Sequence, residues 1–172
     1  MGINHLSRLR FNFGFLLEAA MGTSREIELA YPTIQIEEVT LTPLRGKFQA
    51  TRTSEGIYLT GTLYSTIPTE CVRCLETMNL NITIQLDELF YHPPFGAPEG
   101  ASVIGDSGII DLEPLVRELA LLEVPMQPIC RPDCQGLCME CGHNLNLGDC
   151  GCEEDDIDPR LSILQQLLKG EE

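Results

Sequence analysis

Six of the eight cysteines lie in the 23 residues from Cys130 to Cys152, and the other two form Cys71-Val-Arg-Cys74. Thiols at such short spacings, with glycines beside them to permit tight turns, are what a tetrahedral metal site requires. Eight thiolates also divide into two sets of four, the number a closed structural zinc site uses. Whatever this chain folds into must let these segments converge.

The strongest local pattern is Cys138-Met-Glu-Cys141-Gly142, a zinc-knuckle spacing in which the turn aims backbone N–H groups at sulfur. Cys150 and Cys152 follow an eight-residue return loop, so they complete one set. Cys71, Cys74, Cys130 and Cys134 then make the second, giving one or two zinc ions per chain. The spacing leaves two alternatives open: Cys130 or Cys134 could join the C-terminal set, and His143 could replace a thiolate. A thioredoxin-like redox role for Cys71 and Cys74 fits poorly, because that motif should open a helix and here strand flanks strand.

No run of eighteen apolar residues occurs, so no transmembrane helix is expected. Glu18 interrupts the apolar stretch Phe13–Met21 and argues against export, which makes the expected location cytoplasmic. In a reducing compartment clustered cysteines read as metal ligands rather than disulfides. The net charge is −15, and residues 1–75 balance seven basic against seven acidic side chains. Residues 76–172 hold four basic and nineteen acidic, so that half repels phosphate backbones and suits a basic protein partner. The competing reading is an acidic surface that only keeps the protein soluble.

Alternating polarity predicts strands at Arg8–Phe13, Ile27–Tyr31, Thr33–Leu41, Lys47–Thr53, Ile57–Ser65 and Leu80–Leu86, with a hairpin turn at Ser54-Glu-Gly56. Cys71 and Cys74 fall at the turn between two antiparallel strands. Residues 92–108 are a Pro- and Gly-rich loop. Asp111 caps a helix near 111–122 whose apolar face is Leu112, Leu115, Val116, Leu119 and Leu122. Glu153–Asp158 is an acidic linker, and a short C-terminal helix with Leu161, Leu164, Leu167 and Leu168 follows. The expected fold class is therefore α+β: an antiparallel sheet or open barrel with one covering helix, a small Cys-rich zinc-binding region and the terminal helix. The expected domains are 1–128, 129–153 and 154–172.

Arg8–Phe13 with Gly14-Phe-Leu-Leu17, Thr51-Arg-Thr53, Cys71-Val-Arg-Cys74-Leu75, Ile110-Asp-Leu112, Leu121–Pro125, Cys138-x-x-Cys141-Gly-x-Asn-Leu-Asn146, Cys150-x-Cys152 and Asp158-Pro-Arg-Leu161 resemble the bacterial YceD family. Its description is "large ribosomal RNA subunit accumulation protein", and relatives occur in plastids. The resemblance implies a non-enzymatic role in large-subunit biogenesis, supporting 23S rRNA accumulation. It implies as partner a ribosomal protein or large-subunit precursor, with no small-molecule substrate and no membrane.

If RNA is touched, the candidates are the basic residues of the neutral half: Arg8, Arg10, Arg45, Lys47, Arg52 and Arg73. A zinc hydrolase is disfavoured, since the chain has three histidines, His5, His92 and His143, and no His-Glu-x-x-His. The alternative function is a redox-sensitive zinc switch, and iron–sulfur ligation is a further use for four thiolates.

Overall fold

The computed structural model describes residues 8–152. Most of it is antiparallel sheet, with few helices and a cysteine cluster region. It divides into two units, Met1–Glu70 with Thr77–Pro128, and Cys71–Glu76 with Ile129–Glu172.

The first unit is built on β2 (Ser24–Tyr31), β5 (Leu44–Arg52), β6 (Gly56–Glu70) and β7 (Thr77–Tyr91), a four-stranded sheet in the order β2-β5-β6-β7. Every neighbouring pair is antiparallel. Alternation assigns the two faces: Phe48 and Ala50, Leu59 and Leu63, and Ile82, Ile84 and Leu86 point into the core. Two smaller pairs add to it, β1 (Arg10–Asn12) with β8 (Ile109–Asp111), and β3 (Ile34–Ile36) with β4 (Val39–Leu41). A four-residue helix α1 (Gly14–Leu17) buries Leu16, and Phe11 meets Phe48 edge-on with ring centroids 5.5 Å apart. Helix α2 (Glu113–Leu122) contributes Val116 and Ala120 to the same core.

Several sequence expectations change in detail. Thr33–Leu41 is two strands, not one. Ile34 and Ile36 are buried and so are Val39 and Leu41, a shift in parity that only a turn can make. Glu37 makes it, with φ of +50°. Strand β6 runs past Ser65 and through Pro68 to Glu70. Asp111 ends β8 and accepts the N–H of Glu113 at 3.0 Å, so the helix begins two residues later than its cap suggested. Leu112 and Val116 are fully buried, whereas Leu122 is 73% exposed. At about 100° per residue, position 122 lies far round the helix from Val116. The loop after β7 is anchored by Tyr91, which donates to Ser102 and accepts from Ile104, and Ile104 is buried. The expected acidic linker and C-terminal helix lie outside the described residues.

The second unit joins the tip of the β6–β7 hairpin, Cys71–Glu76, to the chain from Ile129 onward. Cys71, Cys74 and Cys134 are buried together, with Leu137 packed against them.

Candidate metal centre

The hairpin tip is a tight knuckle. The N–H of Cys71 donates to the carbonyl of Glu76 at 3.0 Å, and the N–H of Leu75 donates back to Cys71 at 2.9 Å. The same two bonds recur around Cys138: its N–H donates to His143 at 2.8 Å, and Gly142 donates to its carbonyl at 2.9 Å. Both turns need a left-handed residue four places after the first cysteine. Gly142 supplies it with φ +72°, and Leu75 does so at +59°.

The eight thiols fall into two sets of four, Cys71, Cys74, Cys130 and Cys134, and Cys138, Cys141, Cys150 and Cys152. Within each set all sulfurs lie within 4.8 Å of one another. Cys71 Sγ is 3.8 Å from Cys134 Sγ, and Cys74 Sγ is 3.7 Å from Cys130 Sγ. A zinc–sulfur bond of about 2.3 Å sets the edge of a tetrahedral site at about 3.8 Å. The donor set and its spacing therefore fit a tetrahedral cation, and zinc is compatible with both. His143 belongs to neither set.

Within each set the surroundings hold some thiols low and push others up. Burial pushes the Cys71 thiol up, but backbone N–H groups of Cys74, Cys130 and Arg73 outweigh it and bring it down to about 6. Desolvation of the sulfur and the neighbouring thiols push Cys130 up to about 12. In the other set the backbone N–H groups of Cys141 and Glu140 bring Cys138 down to about 7. The thiols of Cys141 and Cys150 push Cys152 up to about 12. Four thiolates this close repel one another, and a bound cation reverses that balance.

One feature of the surroundings escaped sequence reasoning. Asn144 bonds its local backbone, accepting from the N–H of Asn146 at 3.0 Å. Asn146 reaches further. Its Nδ2 donates to Cys134 Sγ at 3.4 Å, and its Oδ1 accepts from Gln135 N–H and Arg131. Asn144 donates to Glu76 Oε1 at 2.9 Å. The segment between Cys141 and Cys150 thus braces the other set of thiols. Only the Asn-x-Asn spacing hinted at this.

Among the RNA candidates, Arg73 donates to the Cys134 carbonyl at 3.0 Å and is tied to the thiol set. Arg10 lies 3.6 Å from Asp111, and Lys47 pairs with Glu26 and Glu28. Arg52 donates to the carbonyls of Thr53 and Gly56. Among the described residues the side chains of Arg8 and Arg45 make no such bond.

The fold and its thiols define a β protein that carries two four-cysteine clusters. The description "Large ribosomal RNA subunit accumulation protein YceD" matches residues 59–168, and the chain belongs to this family. An uncharacterized protein of Mycobacterium tuberculosis is 36% identical over 124 residues, 69% of this chain and 58% of that one. Uncharacterized protein YlbN of Bacillus subtilis is 27% identical over 150 residues, 81% of this chain and 87% of that one. A maize protein named large ribosomal RNA subunit accumulation protein YCED homolog 1, chloroplastic, is 27% identical over 160 residues, 74% of this chain and 54% of that one. The chain thus spans under two thirds of the mycobacterial relative's length. No solved structure matches it. Among the described residues no helix is long and apolar enough to cross a membrane.

Proposed function

We propose that this chain is a non-enzymatic factor in large ribosomal subunit biogenesis. It holds a structural zinc ion in each set of four thiols and docks a basic ribosomal protein or a large-subunit precursor. One observation carries the reading: in a chain of this family the eight thiols divide four and four, with no thiol left over. Closed all-thiolate sites have no open position for substrate or water, so they favour a scaffold over a reaction centre.

Charge supports the choice of partner. Each zinc with four thiolates carries a formal −2, which adds to an already acidic half of the chain. A basic surface complements that field and is steered by it. In this reading the Cys-rich region comprises the hairpin tip and residues 129–153, the β-rich core is the remainder up to 128, and α2 covers the sheet. Where RNA is contacted, Arg8 and Arg45 are the first candidates, since no described residue neutralises their charges.

The test is a strain carrying Cys71→Ser with Cys74→Ser. Loss of large subunits while the protein stays soluble supports the reading, and an unaltered subunit profile overturns it. Exposure favours a second reading more for the Cys138 set than for the Cys71 set, in which only Cys130 is exposed. Cys141 and Cys152 are exposed, so oxidants reach that set first. Rapid zinc release by mild peroxide from that set alone marks a redox-sensitive switch.

A further inference from the structure

Strand β7 is an edge of the four-stranded sheet. Its pairing with β6 runs unbroken from Thr77 opposite Glu70 to Tyr91 opposite Gly56, fifteen residues without a bulge. The direction of its backbone groups is fixed by the bonds at each end. Tyr91 exchanges bonds with Ser102 and Ile104, away from β6, while His92 donates to Glu55 on the β6 side. In an antiparallel ladder the two kinds alternate. Asn79, Asn81, Thr83, Gln85 and Asp87 therefore turn N–H and C=O outward. Among the described residues none of these groups is bonded.

Natural edge strands are guarded by lysine, proline, bulges or shortness. From Thr77 to Leu86 this one has no charge, no proline and no bulge. Asn79, Asn81, Gln85 and Asp87 are exposed and Thr83 is half-buried, so the outer face beside this edge is open to solvent, while α2 packs on the inner side. On the inner face it ends in Ile82 and Ile84, whose hydrophobic row a further strand would extend.

We propose that β7 pairs antiparallel with β7 of a second copy of this chain, joining two sheets into one of eight strands. The sequence is self-complementary for this. With the two-fold axis at Thr83, Thr83 faces itself, Asn81 faces Gln85, Asn79 faces Asp87 and Met78 faces Glu88. No like charges oppose one another, although the strand carries Asp87 and Glu88 and no basic residue. Moving the axis to Ile82 would set Glu88 against Glu76, which favours the Thr83 register.

Two chains of charge −15 repel at long range, so the pairing strengthens as salt is added. Thr83→Pro removes an outward N–H and leaves the bonds to β6 in place. It weakens the dimer by about tenfold or more.

The experiment is sedimentation equilibrium of the full chain at low and high sodium chloride. The expected result is a monomer–dimer equilibrium that shifts toward dimer in salt and is weakened by Thr83→Pro. Thr83→Lys and Thr83→Glu each place like charges on the axis, and mixing the two restores a heterodimer. That restoration separates a lost interface from a damaged fold. A chain that stays monomeric at every concentration overturns the proposal. So does a dimer unmoved by all three substitutions, or a monomer whose β7 edge takes up only a strand from another protein.

Discussion

Leu75 and Gly142 occupy one position in two copies of the same turn. Each donates its N–H at 2.9 Å to the carbonyl of the cysteine four residues earlier, with φ of +59° and +72°. Leucine in this region costs energy that glycine does not. Leu75 is 61% exposed and gains little from burial in return. Leu75→Gly should therefore raise the stability of the metal-loaded protein by up to about 1 kcal/mol in urea unfolding. Gly142→Ala meets no atom within 4 Å, yet should lower stability by about 1 kcal/mol through its backbone alone.

The two sets should load independently. Protein purified without chelators is expected to carry two zinc ions by native mass spectrometry. Cys71→Ser with Cys74→Ser should leave one, and so should Cys138→Ser with Cys141→Ser. Two ions surviving either change would refute the division of ligands.

Acid should empty both sets. A thiol held below its ordinary value is a thiolate above that lower pH and is protonated below it, and protonation competes with the metal. Cys138 is brought down to about 7 and Cys71 to about 6. As pH falls through and below that range both sets should release zinc, followed with a chromogenic chelator, and zinc retained well below it would contradict this.

Asn146→Leu keeps the volume and removes the amide that donates to Cys134. Loss of such an outer partner lowers metal affinity by about tenfold to a hundredfold. The Cys71 set should weaken accordingly in a chelator competition, although Asn146 lies in sequence within the other set.

Gly61 lies where β6 crosses Phe48 of β5. An added Cβ would come within 2.6 Å of the Cβ of buried Phe48, in a half-buried and paired part of the sheet. Gly61→Ala should cost about 2 kcal/mol, read as a fall in the urea midpoint.

Much of the candidate site was legible because thiols have few uses and their spacing limits the turns between them. Cys138-x-x-Cys141-Gly142 announces its own turn through the glycine. Cys71-x-x-Cys74 lacks that signal, and Leu75 takes the strained conformation without advertising it. Alternation found most of the strands. It missed the β3–β4 turn because Glu37 and Glu38 look like any solvent-facing pair until parity on either side is compared. It stopped β6 short because Pro68 reads as a breaker. Pro68 sits opposite Asn79 in a pair that exchanges no ladder bond, so its missing N–H costs nothing there. The reach of Asn146 to Cys134 depends on chain return and has no local pattern.

The interval of 56 residues between Cys74 and Cys130 has a consequence for synthesis. A nascent chain that has formed its longest hairpin presents two thiols at the tip before their counterparts have emerged. The quartet can close only after Cys134 emerges, by which time the strands and the second helix have already left the exit tunnel. Closure of that quartet therefore follows the synthesis of the strands and of the second helix rather than preceding it.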